Sequence, residues 1–180
     1  MRKLVLQMQM SVDGCVSAAD PTTQWQLWNW GTQWPWDSEL QAEFNQCFAT
    51  VDTILLSRKM LCQGYLDHWS NVASLTAGDE KFSFARHIGN VDKVVISSQP
   101  ITEHWRKTTV INQPMHQAVA ALKRNAGRDI ICFGGLEFAS ALLATQLVDE
   151  IQLYINPFAV GQGKGIFDEC AANGLALNLI

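Results

Sequence analysis

Ile130-Ile131-Cys132-Phe133-Gly134-Gly135-Leu136-Glu137 is the stretch on which the fold turns. Residues 129–133 read as a strand, with a short apolar run from Ile130 to Phe133. Two glycines then hand the chain to a helix over 136–145. A strand that ends in Gly-Gly leaves backbone N–H groups unobstructed, and the helix N-terminus behind them attracts a phosphate. The same spacing also serves a tight turn with no ligand.

The pattern repeats outward from this unit. Pro114 opens a helix that continues to about residue 125. Strands read over 108–111 and 93–97, the latter ended by Pro100. A surface helix is predicted over 79–89. A short helix over 58–65 ends near Gly64. A buried strand covers 53–56. Asp37 caps a helix that runs to residue 50, with Leu40, Phe44 and Phe48 on one face. Residues 4–10 alternate apolar and polar and read as the first strand. Downstream, 147–155 reads as a strand and 157–165 as a glycine-containing loop. Strands alternating with helices predict one α/β domain over 1–180, with a mostly parallel sheet flanked by helices. Ligands of such sheets sit outside the carboxyl ends of the strands.

Composition narrows the functions open to the chain. Its 180 residues are 48% hydrophobic and 17% charged, a globular balance with material for one core. A net charge of −4 argues against a broad nucleic-acid surface. Gln7 and Gln9 interrupt the N-terminal apolar run, and no stretch reaches membrane-span length, so a cytoplasmic chain is expected. The cysteines, Cys15, Cys47, Cys62, Cys132 and Cys170, are odd in number and lack C-x-x-C spacing, which suits reduced thiols. The four histidines are scattered, so no metal site is expected.

Three strand ends carry phosphate-compatible chemistry: Ser57-Arg58-Lys59, Ser97-Ser98 and Gly134-Gly135. A fourth, Ser11-Val12-Asp13-Gly14, follows the first strand. The loop 17–36 holds Trp25, Trp28, Trp30, Trp34 and Trp36. Its length and aromatic content suggest a flap over a site, with Trp28, Trp30, Trp34 and Trp36 stacking a flat heterocycle or packing the loop onto the sheet.

Together these segments resemble the dihydrofolate-reductase-like superfamily. Leu55-Leu56-Ser57-Arg58-Lys59-Met60, Val94-Val95-Ile96-Ser97-Ser98 and Ile130 to Gly135 follow its order and spacing. Ser11-Val12-Asp13-Gly14, Leu147-Val148-Asp149-Glu150 and Pro157 to Gly163 bring the chain closest to the RibD C-terminal reductase family of riboflavin biosynthesis. The resemblance spans about residues 2 to 168. It implies a three-layer fold and NADPH as hydride donor. By position, Arg58, Lys59 and Met60 would lie near the cofactor phosphates, and Ser97 and Ser98 near the adenosine 2′-phosphate. Gly134, Gly135, Leu136 and Glu137 would wrap the pyrophosphate, while Met10 and Val12 would edge the nicotinamide.

The chain departs from its relatives at the substrate side. Dihydrofolate reductases carry a carboxylate where this sequence has Gln41, five residues after Trp36. An amide cannot relay a titratable proton. The riboflavin reductases carry Glu where Phe133 stands. Asp37 and Gln41 are the catalytic candidates, with Trp36, Asp37, Gln41 and Phe133 expected to touch a small heterocyclic substrate. Relatives continue with a further strand pair after a segment like Leu175 to Ile180, so an exposed or homodimer-paired final sheet edge is expected. Three functions stand open: an NADPH-dependent RibD-like reductase, a non-catalytic nucleotide-binding protein, and a pterin or dihydrofolate reductase.

Overall fold

The computed structural model describes residues 1–101, 104–168 and 175–180. Cys170 lies outside them. Six strands form one sheet: β1 (Leu4–Ser11), β3 (Val51–Ser57), β4 (Asp92–Ile96), β5 (Thr108–Ile111), β6 (Asp129–Cys132) and β7 (Glu150–Asn156). They lie in the order β5-β4-β3-β6-β1-β7. Every neighbouring pair is parallel. The short strands β2 (Ser17–Ala18) and β8 (Gly163–Lys164) pair antiparallel, which joins two segments that read as separate loops in the sequence.

Period-two alternation divides the core between two faces of this sheet. Val5, Ile54, Leu56, Val95 and Ile131 point to one side. There they meet α1 (Ser38–Thr50), α2 (Arg58–Cys62), α3 (Tyr65–Leu75) and α4 (Ser83–Asn90). Leu4, Leu6, Leu55, Val94, Ile130 and Cys132 point to the other and pack on α5 (Met115–Arg124) and α6 (Leu136–Ala144). The result is the three-layer dihydrofolate-reductase-like fold that the motifs implied.

The face assignment follows from crossover handedness. The chain moves from β1 through β3 and β4 to β5, then returns through β6 to β7. Right-handed parallel crossovers put helices for opposite directions of travel on opposite faces. The reversal falls between β3 and β6, so the crevice for a ligand opens at their carboxyl ends.

Several elements differ from the sequence reading. The predicted helix over 58–65 stops at Cys62, and Gly64, at φ +86°, begins a separate helix, α3. Gly64 therefore serves as a left-handed hinge between two helices. The predicted helix over 79–89 is a short 3-10 turn, Glu80–Phe82, followed by α4. β7 begins at Glu150, three residues later than expected, because Asp149 turns back to accept the Leu4 N–H at 2.7 Å. The alternating β1 has no solvated face. Gln7 and Gln9 are buried, and the Gln9 amide donates to the Trp28 carbonyl at 2.9 Å. Among the described residues, no helix is long and apolar enough to cross a membrane.

Candidate active site

The three phosphate-compatible strand ends are neighbours in space. β4, β3 and β6 are consecutive in the sheet. Ser57 pairs in register with Ile96, and Leu55 with Cys132. Ser57-Arg58, Ser97-Ser98 and Phe133-Gly134 consequently leave the sheet side by side. Arg58 and Lys59 are exposed, and neither has a carboxylate partner among the described residues. Ser57 caps α2, its hydroxyl accepting the Met60 N–H at 3.1 Å.

Gly135 sits at the N-cap of α6 without a side-chain hydrogen bond to the first turn. The N–H groups at the start of α6 are thus left to a ligand or water. Gly134 has φ +93°, the left-handed region that favours glycine. A Cβ there would meet the Met8 Sδ at 2.8 Å. Leu136 is half-buried and Glu137 exposed on the first turn of α6.

Other residues expected at the cofactor behave differently. The Ser97 hydroxyl is engaged locally, donating to the Gln99 carbonyl at 2.8 Å and accepting the Gln99 N–H at 3.1 Å. That turn leaves exposed Ser98 as the freer hydroxyl. Met10 is half-buried at the end of β1, beside Ile155. Val12 is exposed, and its N–H donates to the Phe158 carbonyl at 3.1 Å.

Asp13 fixes this corner. Its carboxylate accepts the Ser11 hydroxyl and the N–H groups of Val160 and Gly161, at 2.6, 3.0 and 2.6 Å. Those bonds, the Ser11 hydroxyl foremost, hold its pKa down to about 2 from 3.8. The contribution of Asp13 is therefore fully present above pH 3.8 and is lost as pH falls through about 2. Amide exchange at Gly161, measured by NMR, should stay protected through mild acid in the wild type. In Asp13→Asn that protection should fall at neutral pH.

Beside the crevice, on the α1–α4 face, lies a cavity of about 600 Å³. Phe133, Phe48, Met60, Trp30, Tyr65 and Trp69 form much of its wall. Phe133 stacks on Phe48 with centroids 5.3 Å apart and planes at 9°. Of the four residues expected to touch substrate, only Phe133 lines this cavity.

Trp36, Asp37 and Gln41 have other work. Trp36 is buried and stacks on Tyr154 at 4.6 Å. Asp37 is an exposed cap accepting the Leu40 N–H at 2.9 Å. Gln41 is buried, and its amide donates to the carbonyls of Trp34 and Trp36 at 3.0 and 2.8 Å. It fastens the tryptophan segment onto α1, a role that needs a donor, as an amide is and an ionised carboxylate is not. Gln41→Leu should cost about 2 kcal/mol in a urea titration, because two buried carbonyls lose their donor. Dinucleotide affinity should be unchanged.

Trp28 and Trp34 are likewise core residues, stacked at 4.5 Å. Of the loop tryptophans, Trp30 alone is among the cavity-lining residues. The His68 Nε2 lies 2.9 Å from the Trp30 carbonyl oxygen. Since a carbonyl only accepts, this nitrogen carries the proton. Cys132 is buried, which pushes its thiol up to about 12 and makes it a poor nucleophile.

An all-parallel six-stranded sheet with helices on both faces, a glycine-lined helix start and, among the described residues, two unpaired cations at its switch point define a dihydrofolate-reductase-like architecture. The chain belongs to the RibD C-terminal domain family, whose model matches residues 2–179. It is similar to the uncharacterised proteins YyaP and YwjB of Bacillus subtilis. YyaP is 24% identical over 92% of this chain and 80% of its own length, and YwjB 23% over 93% and 84%. Acinetobacter baumannii RibD aligns over all of this chain and 54% of its own, with a TM-score of 0.63 and 19% identity. The diaminohydroxyphosphoribosylaminopyrimidine deaminase/5-amino-6-(5-phosphoribosylamino)uracil reductase of Thermotoga maritima aligns over 99% of this chain and 51% of its own, with a TM-score of 0.62 and 10% identity. This chain spans about half the length of those two structures, and the likeness is one of fold.

Proposed function

We propose that this domain is an NADPH-dependent reductase that delivers a hydride to a small heterocyclic acceptor. The adjacency of the β4, β3 and β6 carboxyl ends carries this reading, with family membership beside it. The residues present fit a dinucleotide. α6 offers an uncapped N-terminus, Gly134-Gly135 lets backbone approach closely, and Arg58 and Lys59 are free to meet phosphate oxygens. When bound, the cofactor supplies the hydride from its nicotinamide ring.

The chain's own part is binding, orientation and exclusion of water. Leu136 and Glu137 would offer backbone N–H groups to the pyrophosphate, and Ser98 a hydroxyl to the adenosine 2′-phosphate. Met10 would edge the nicotinamide. The acceptor takes up one hydride and one proton. Asp37 and Gln41 are absent from the cavity wall, so water is the proton source in this reading. That feature also disfavours pterin or dihydrofolate reduction, which needs a carboxylate beside the ring. We further propose a cytoplasmic location and a homodimer, the latter because the edge strand β7 leaves Ile155 exposed.

Titration with NADPH and NADH, followed through tryptophan emission, should show saturable binding with NADPH the tighter. Stopped assays with pterins, ribosylaminopyrimidines and quinones should then find an oxidant for bound NADPH. Binding without turnover across the panel would favour a non-catalytic nucleotide-binding protein, which the acid-free cavity wall also suits. No association with either dinucleotide would sink both readings.

A further inference from the structure

We infer that the ring taken by the 600 Å³ cavity is flat, uncharged and phosphate-free. The inference rests on the reductase reading for its context and names the acceptor class of that same site.

The wall chemistry carries it. Trp30, Phe48, Trp69, Phe84 and Phe133 present aromatic surface on several sides. Such walls favour a planar π system in offset or edge contact. The volume falls in the range of small-molecule pockets. Among the described lining residues there is no Lys, Arg, Asp or Glu. The polar members are Asn29, Gln63, His68 and Tyr65, and His68 is already engaged with the Trp30 carbonyl. A phosphate entering this space would lose water and gain no cation, which is strongly unfavourable.

The cations at this end of the sheet stand elsewhere. Arg58 and Lys59 occupy the exposed start of α2 and are not among the lining residues. Anion recognition and the acceptor seat are therefore separated along one short segment, because Met60, the next residue, does line the cavity. This arrangement sets the domain apart from a reductase whose substrate carries a phosphoribosyl group.

Tyr65 contributes its ring to the wall, while its phenol oxygen is shielded from the space and lies beside the Trp69 indole.

The test is calorimetric titration of the full chain with 1-naphthol and 1-naphthyl phosphate, a pair that differs only by the phosphate. Titrations are run with saturating NADP⁺, which occupies the phosphate-binding edge, and again without it. Expected is measurable 1-naphthol binding, with the phosphate ester at least about tenfold weaker. Equal or tighter binding of the ester overturns the inference, as does absent 1-naphthol binding. Failure of NADP⁺ to bind sinks the reductase reading alone, since the ring preference is still scored in the titrations without it.

Discussion

Trp28→Ala is expected to destabilise the protein by about 3–5 kcal/mol, the range for emptying a large aromatic from a packed core. Trp28 is fully buried and lies at the centre of the aromatic cluster. Its ring centroid is 4.7 Å from Trp30, 4.5 Å from Trp34 and 5.3 Å from Trp36. Phe44 and Phe84 meet it edge-on at 5.6 and 5.7 Å. Its indole N–H donates to the Gly31 carbonyl at 3.0 Å. The surroundings cannot collapse into the gap, because the loop is pinned around it. Gln9 holds the Trp28 carbonyl, buried Asn156 accepts the Leu27 N–H at 2.8 Å, and Gln41 holds Trp34 and Trp36. For a chain of this size the melting point should fall by about 6–20 °C. A urea titration showing less than about 1 kcal/mol would mean that the cluster repacks, and that the loop is a softer body than these bonds indicate.

The tryptophans also show where sequence reading reached its limit. Strand positions, their parallel pairing and the Gly-Gly turn were legible, because runs such as Ile130-Ile131-Cys132 have one stable home, a strand covered on both faces. The loop tryptophans were legible as ordered but not as to which way they faced. Trp28 and Trp30 are two residues apart, yet one is core and the other walls the cavity. The backbone decides this at Trp30, whose φ of +58° turns the chain, and no local composition announces a left-handed tryptophan. Gln41 stands where dihydrofolate reductases carry a carboxylate, and only the carbonyls of Trp34 and Trp36 above it show that the position is a fastener here.

The cavity itself was missed because its walls come from the tryptophan loop, α1, α2, α3, α4 and the end of β6, far apart in sequence. Gly64 read as a helix end, which hid α3 behind it. Tyr65 and Trp69 stand one helical turn apart, at i and i+4, and that aromatic spacing was the available signal. Polar Asp67, His68, Ser70 and Asn71 between and after them diluted it.

Removing both cations of α2, in Arg58→Ala/Lys59→Ala, should weaken NADPH binding by about 100-fold while leaving stability within about 0.5 kcal/mol. The two effects separate because each side chain is exposed and none of the ion pairs among the described residues includes it. No ion pair among the described residues depends on either charge. The cofactor's phosphates would, since a hydrogen bond to a charged group contributes about 1.5–3 kcal/mol, and two of them at the lower end of that range amount to about two decades in affinity. Ionic strength gives an independent reading. Attraction between exposed charges is screened over about 8 Å at physiological salt, so wild-type affinity should fall steeply as salt rises, and the double variant should show a shallower slope. The helix start at Gly135 would still hold the pyrophosphate in that variant, so residual binding with little salt dependence is the expected signature. If the variant instead binds NADPH like the wild type, the phosphates do not lie across the β3 and β6 strand ends, and the dinucleotide reading of this sheet edge fails with them.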